Sequence, residues 1–337
     1  MLWSDYLLFL LKSVTVLIVV AILISLFAKA SKSGGAGKGK LEVTNLNKAF
    51  EAIKSRMQQQ ILGKAELKQL SKEKKAEQKQ LQKKLKQGEQ RPRSFFIKFK
   101  GDIQASQVSA LRQEVTALLT IAKPGDEVIV AIESPGGAVS GYGLAATQLQ
   151  RIKDAGLTLT ACVDKVAASG GYMMACVADK IIAAPFAIVG SIGVISQIPN
   201  IHRMLKRFDV DVDVITAGKH KAPMTLLGEN TDEGRKKYEQ DLTAIHARFK
   251  SLVKLHRDQL DLEQVSEGDF WLAEDALEHK LVDEIGSSDA YLQRVSESND
   301  VYRVQWLAHK TMEERIRGAS TALFHSVEQF LGKRPLP

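Results

Sequence analysis

The sequence predicts an α/β domain that is preceded by a membrane anchor and a helical stalk. From residue 94 onward, apolar strand patterns alternate with helical ones, as in parallel sheets with crossover helices. Before that point, one stretch is almost wholly apolar and the next is rich in Lys, Gln, Glu, Ala and Leu. The 337 residues therefore divide into an anchor at 1–28, a linker and Lys-rich helical stalk at 29–93, the α/β domain at 94–290 and a C-terminal helical extension at 291–337.

The anchor is predicted from the apolar run at 6–27, which contains 22 residues, about the length that a helix needs to cross a bilayer. A cleaved signal peptide has a shorter apolar core of about 7–15 residues, so a retained anchor is favoured. Most nearby lysines follow the run, and the positive-inside rule then favours a cytoplasmic domain. A second uncharged run at 181–199 contains two prolines and two glycines, which predicts short strands joined by a loop.

The stalk carries the basic surplus of a chain whose net charge is +8. Residues 1–93 hold 19 Lys and Arg against 7 Asp and Glu, so the remainder is acidic. Apolar residues recur at helical intervals in 41–86, and the Lys-rich part at 64–86 is suited to contact anionic lipid headgroups. Because that part has no aromatic residue to stack on bases, nucleic acid is not expected as a partner.

The elements of the α/β domain follow from its apolar periodicity. Strands are expected at 95–99, 127–132, 157–163, 180–184, 187–194 and 210–215. Helices are expected at 105–121, 141–155, 169–178, 201–208 and 231–260, with short elements at 268–285. Cys162 and Cys176 lie in apolar sequence without metal-type spacing, so we expect buried free thiols, no metal site and no cofactor.

Ser169 is the first candidate for chemistry. Residues 166–174 read Val-Ala-Ala-Ser-Gly-Gly-Tyr-Met-Met, which places Ser169 between small residues at the start of an apolar helix. The first N–H groups of a helix lack internal partners, so an oxyanion formed at Ser169 would find donors there. The same pattern also fits a helix N-cap in a packing contact between small residues.

Two further glycine-bearing loops follow predicted strands. In the Ser-Pro-Gly-Gly turn that ends at Gly137, this glycine could supply an N–H beside that of Gly170. In Gly-Ser-Ile-Gly, Ser191 could hold a lysine amine toward Ser169 or satisfy a turn. Ligands of α/β folds bind at the carboxyl ends of strands, so these loops together favour acyl-transfer chemistry.

A serine nucleophile also needs a base, and the loop at 216–223 holds three candidates. None of the seven histidines has a glycine-rich or carboxylate-flanked setting. Lys221 could act as general base if burial disfavours its charged form. Lys219 and His220 are rivals in the same loop, and the residues alone do not rank the three. An exposed lysine is the ordinary alternative.

The motifs Ser-Pro-Gly-Gly, Ala-Ala-Ser-Gly-Gly-Tyr, Ala-Asp-Lys-Ile, Gly-Ser-Ile-Gly-Val and Ala-Gly-Lys-His-Lys occur in this order. Over roughly 94–288 the chain closely resembles the signal peptide peptidase A family of membrane serine peptidases. The resemblance implies a ClpP/crotonase-like spiral of ββα units, homo-oligomers and, in some members, active sites shared between subunits. It also implies the site roles, which are Ser169 as nucleophile, Lys221 as base, Gly137 and Gly170 as oxyanion hole and Ser191 as the lysine-orienting residue.

The resemblance implies a membrane-anchored serine endopeptidase with a Ser/Lys dyad, which cleaves signal-peptide-like or unfolded apolar peptides through an acyl-enzyme. One alternative is a catalytically idle membrane scaffold on the same fold, and another is acyl-coenzyme A chemistry on a crotonase-like core. The expected location is the bacterial inner membrane, with a single span. Family precedent favours a periplasmic catalytic domain, against the positive-inside argument.

Overall fold

The computed structural model describes residues 39–86 and 91–308. Its strands are β1 Gly39–Asn45, β2 Arg93–Lys100, β3 Glu127–Glu133, β4 Thr158–Val163, β5 Val166–Ala168, β6 Lys180–Ala183, β7 Ile188–Gly190, β8 Phe270–Leu272, β9 Glu284–Ile285 and β10 Asp300–Ala308. Its helices are α1 Leu46–Ile61, α2 Lys64–Lys86, α3 Val108–Leu119, α4 Val139–Asp154, α5 Gly170–Ala175, α6 His202–Arg207, α7 Asp232–His256, α8 Leu262–Val265, α9 Ala273–Glu278 and α10 Ser288–Ser298. Strands and helices alternate, so the predicted α/β class is confirmed.

The strands form a larger and a smaller sheet. The larger sheet has the order β1-β10-β2-β3-β4-β6-β9, and every pair from β10 to β9 is parallel. In the smaller sheet, β7 lies between β5, to which it is parallel, and β8, to which it is antiparallel. A bridge between Ser134 and Ala167 joins the end of β3 to β5. The carboxyl ends of β3, β5 and β7 therefore meet in one place.

Apolar side chains cover both faces of the larger sheet, as is usual for parallel strands. Along β2, Phe95 and Ile97 belong to the main core with α3, α4 and α5, while Phe96 belongs to a second cluster on the other face. Side chains of α10 complete that second cluster, and Phe50 of α1 packs against it. The alternation has the period of two that an extended strand imposes. One face of the sheet thus receives the start of the predicted stalk.

The compact unit that holds the site is Glu42–Gln305. A second unit comprises residues 1–41 and 306–337, of which the structure describes 39–41 and 306–308. The predicted anchor at 1–28 lies outside the described residues. Among the helices within 39–86 and 91–308, none combines the length and the apolar character that a bilayer-spanning helix requires.

The structure corrects three sequence-based expectations. Residues 210–215 form no strand, although Asp and Val alternate there, because no strand in the described part of the chain pairs with them and Ile215 is 93% exposed. The C-terminal extension at 291–337 is not wholly helical, since α10 ends at Ser298 and β10 then pairs with β2. The linker and helical stalk expected at 29–93 also contain a strand, β1, which begins at Gly39. Residues 309–337 lie outside the described part.

Candidate active site

Ser169 lies at the sharp turn between β5 and α5. Its φ of 51° is in the left-handed region, which a serine rarely occupies and which costs about 1–3 kcal/mol. Its amide donates to the Gly190 carbonyl at 2.8 Å, and its carbonyl accepts from the Met173 amide at 2.9 Å. Its side chain makes no capping hydrogen bond to α5. The strained turn is therefore held by backbone bonds, and the hydroxyl is not used as a helix cap.

The Ser-Pro-Gly-Gly turn packs directly against this serine. Gly136 has a φ of 95°, and a Cβ built on it would lie 2.7 Å from the Cβ of Ser169 and 2.8 Å from the Gly170 nitrogen. Gly137 instead backs onto Ile103, whose carbonyl oxygen would lie 2.1 Å from an added Cβ. The two glycines therefore make different contacts. Gly136 packs against Ser169, and Gly137 packs against the segment that precedes α3. The sequence predicted a role for Gly137 and none for Gly136.

Two backbone N–H groups near Ser169 have no hydrogen-bond acceptor within the described residues. The amide of Gly170 is the first of α5 and faces no preceding turn. The amide of Gly137 follows the turn and is likewise unused. Both belong to residues predicted for the oxyanion hole. Stabilising a tetrahedral intermediate requires backbone donors that are held in place before negative charge develops.

Ser191 lies in the Gly-Ser-Ile-Gly loop, directly after β7. Ala168 and Gly190 are register partners at the ends of β5 and β7, so Ser169 and Ser191 each follow one of two paired strand ends. The φ of Ser191 is 50°, and its amide donates to the Asp269 carbonyl at 2.7 Å. His246 of α7, which the sequence did not single out, lies within 3.1 Å of the neighbouring Ile192 carbonyl through its Nε2. The loop thus reaches the serine on one side and α7 on the other.

Within one chain, the predicted base Lys221 forms no hydrogen bond with Ser169 among the described residues. Its amide donates to the Gly218 carbonyl at 3.1 Å, its side chain is exposed, and no hydrogen bond or ion pair involves its amine within 39–86 and 91–308. A surface cavity of about 230 Å³ beside the loop is lined by Lys219 and His220 but not by Ser169. Within one chain, Ser169, Gly136 and Gly170 lie together, and the Lys221 amine has no hydrogen bond or ion pair to any of them among the described residues.

The two lysines of this loop differ in environment. Lys219 forms an ion pair with Glu233 at 2.9 Å, and that hydrogen bond and charge raise the pKa of Lys219. A raised pKa keeps the amine protonated, which is the wrong state for a general base. Lys221 has no carboxylate partner in the described part of the chain. Both lysines are exposed within one chain, so their described environments do not decide between them as a general base.

Both cysteines are buried free thiols, as the sequence predicts. Burial raises the pKa of Cys162 to about 12 and that of Cys176 to about 12. A thiol is nucleophilic as its thiolate, so neither cysteine competes with Ser169. Cys176 ends α5 and packs in the main core.

Comparison with known proteins places the whole chain among peptidases. The pattern described as "Peptidase family S49 N-terminal" matches residues 1–149, and that described as "Peptidase family S49" matches residues 151–302. The second match includes Ser169, Ser191 and Lys221, and the first includes Gly137.

Curated relatives extend over nearly the same length. The chain is 41% identical over 341 residues to "Probable protease SohB" of Haemophilus influenzae, which covers 98% of the chain and 97% of the relative. It is 47% identical over 239 residues to "Probable protease SohB" of Buchnera aphidicola subsp. Acyrthosiphon pisum, covering 71% and 70%. It is 41% identical over 299 residues to "Putative protease SohB" of Buchnera aphidicola subsp. Baizongia pistaciae, covering 86% of each.

Proposed function

Since the chain belongs to peptidase family S49, we propose that it is a membrane-anchored serine endopeptidase with Ser169 as nucleophile and Lys221 as general base. The family inferred from the motifs is confirmed by the comparisons. The observation that carries the proposed chemistry is the setting of Ser169. The strained Ser169 precedes α5 at the meeting point of three strand ends, and its hydroxyl does not cap the helix. The amides of Gly170 and Gly137 have no acceptor in the part of the chain that the structure describes.

The proposed reaction proceeds through an acyl-enzyme. Ser169 Oγ attacks the scissile carbonyl carbon while its proton passes to the neutral amine of Lys221. The carbonyl oxygen becomes an oxyanion and accepts hydrogen bonds from the amides of Gly170 and Gly137. The C–N bond then breaks, and the departing amine takes the proton from Lys221. Water attacks the resulting ester, its proton returns to Ser169 through Lys221, and the carboxylic acid product leaves.

We propose that Lys221 acts on the serine of a neighbouring copy. Its side chain is exposed within one chain, and burial against a neighbour would disfavour the charged form, as a general base requires. Ser191 follows β7 next to the Ser169 turn and is suited to hold the incoming amine with its hydroxyl. This arrangement requires a homo-oligomer, in which one subunit completes the site of the next.

The anchor and the substrate class also belong to the proposal. The apolar run at 6–27 supports a single span in the bacterial inner membrane, and the ββα spiral of the ClpP and crotonase folds is the expected architecture. Extended apolar or signal-peptide-like segments are the substrates that the family resemblance implies. A protease added to the periplasmic side of the inner membrane would remove the catalytic domain only if that domain lies on that side.

Labelling with a fluorophosphonate tests the nucleophile without a known substrate. We expect the full-length protein to be labelled at Ser169, and Ser169→Ala to lose both the label and the cleavage of an apolar quenched-fluorescence peptide. Ser106→Ala is the control, because Ser106 is an exposed serine whose hydroxyl bonds only to Asp102. Full peptidase activity in folded Ser169→Ala would refute the proposal. A wild-type protein that takes no label and cleaves no peptide would favour the scaffold alternative.

A further inference from the structure

A chain of buried hydroxyl groups lies directly beneath the Ser-Pro-Gly-Gly turn. The Gly136 amide donates to Ser134 Oγ at 3.1 Å, Ser134 Oγ bonds to the hydroxyl of Tyr142, and that hydroxyl donates to the Asp102 carbonyl at 2.7 Å. Ser134 and Tyr142 both have 0% of their surface exposed. Because the single proton of Tyr142 goes to Asp102, Ser134 must donate to Tyr142 and accept from Gly136. Each of the three hydrogen bonds therefore has a defined donor and a defined acceptor.

This chain fixes the peptide that carries the Gly137 amide. On the one side, Ser134 holds the amide of Gly136. On the other side, the Ala138 amide donates to the Ile103 carbonyl at 2.7 Å. The Tyr142 hydroxyl and the Ala138 amide thus donate to two adjacent carbonyl groups, those of Asp102 and Ile103. The Gly137 amide lies between these two held peptide groups and has no acceptor among residues 39–86 and 91–308, so the two bonds constrain its direction.

Tyr142 also supports the other donor. A Cβ built on Gly170 would lie 2.4 Å from Cγ of the Tyr142 ring, so the backbone of Gly170 rests on that ring. Burial raises the pKa of Tyr142, which keeps its hydroxyl protonated and able to donate. One side chain of α4 thus contacts Gly170 with its ring and acts on the Gly137 peptide with its hydroxyl.

We infer that Tyr142 and Ser134 are positioning residues of the oxyanion hole, with the Tyr142 hydroxyl setting the direction of the Gly137 amide through Ser134. The inference rests on the proposed function. Neither residue touches substrate. A misdirected amide would weaken the hydrogen bond to the developing oxyanion and would leave substrate binding nearly unchanged, because the donor matters most in the transition state.

The test is Tyr142→Phe, which keeps the ring against Gly170 and removes the hydroxyl. We expect kcat for an apolar fluorogenic peptide to fall roughly tenfold to a hundredfold, less than the 10²–10³ for losing a donor outright, with KM within about twofold. The rate of fluorophosphonate labelling should fall by a similar factor. Tyr291→Phe is the matched control, since Tyr291 donates to Glu127 at 2.6 Å at the opposite end of β3.

A double-mutant cycle shows whether Ser134 and Tyr142 act through one hydrogen-bonded chain or independently. If Tyr142 acts through Ser134, the double variant Ser134→Ala/Tyr142→Phe should lose no more kcat than the less active of the two single variants. Ser134→Ala carries the test alone if Tyr142→Phe does not fold. The inference is wrong if folded Tyr142→Phe or Ser134→Ala keeps kcat within twofold of wild type, or if the losses multiply. If Ser169→Ala stays active, the proposed function itself fails.

Discussion

The turn around Ser169 and the segment that carries Lys221 differ in how firmly one chain holds them. Around Ser169, the supporting groups are buried, and backbone bonds join three strand ends. Between α6 and α7, by contrast, large apolar side chains are exposed, with Phe208 at 73% and Ile215 at 93%. One chain therefore holds the turn that carries the proposed nucleophile and the Gly170 amide in place. The second region presents apolar surface of the kind that a subunit contact would bury.

Mixing two inactive variants gives the largest effect that this comparison predicts. Lys221→Ala and Ser169→Ala should each lower activity, Lys221→Ala by about 10²–10⁴, the range for removing a general base. If the base comes from a neighbour, a co-assembled equal mixture should regain about a quarter of wild-type labelling at Ser169, since one subunit pairing in four is complete.

Lys219→Ala is the control for that experiment. Lys219 lies in the same loop, but its exposed ion pair with Glu233 should contribute little to folding or activity. Co-purification through an affinity tag on one of the two variants must show that the two chains have exchanged. A co-assembled mixture that stays inactive would mean that Lys221 acts within its own chain or is not the base.

A pair of glycine substitutions compares the two regions directly. Gly136 and Gly218 have similar φ values of 95° and 101°, yet an added Cβ meets Ser169 and Gly170 at Gly136 and nothing within 4 Å at Gly218. We expect Gly136→Ala to cost about 2–4 kcal/mol of unfolding free energy and Gly218→Ala about 1 kcal/mol, because only Gly136→Ala adds overlap to backbone strain. Urea denaturation and labelling measure both. Equal costs would show that the Ser169 turn relaxes freely.

Acid unfolding should show the smallest difference. Burial acts to raise the pKa of Asp126, but hydrogen bonds from Arg93 and the Lys123 amide hold it below the usual value. The resulting stability is present above the unfolded pKa of about 3.9 and is lost as pH falls through the lower folded pKa. Thermal melts between about pH 6 and pH 2 should therefore fall less steeply in Asp126→Asn.

Glu233→Gln provides the counterpart from the exposed region. Lys219 lowers the pKa of Glu233 as well, but both side chains are 73% exposed and their interaction is screened by solvent. Its melting profile against pH should overlay that of wild type. A shift as large as that of Asp126→Asn would mean that the Lys221 loop is held more firmly than its exposure indicates.

Local patterns in the sequence predicted those parts of the site whose structure depends on residue type and on near neighbours in the chain. The strand ends, the helix start at Ser169 and the buried thiols follow from residue type and spacing. Tyr142 could not be found in this way, because its partner Asp102 lies 40 residues away and only the fold brings them together. The exposure of Lys221 and the absence of a strand at 210–215 could not be predicted either, because both depend on which parts of the folded chain pack against this loop.

The N-terminal segment determines where a soluble fragment should begin. In the sheet order, β1 lies outside β10, and Asn47 of α1 bonds to the carbonyls of Ser296 and Asn299 and to the amide of Val301. A fragment that starts at residue 94 would leave β10 as an open edge able to pair with other chains. It would also uncover the apolar face that Phe50 protects. Crystallisation or NMR work is therefore better served by a fragment that starts at Gly39.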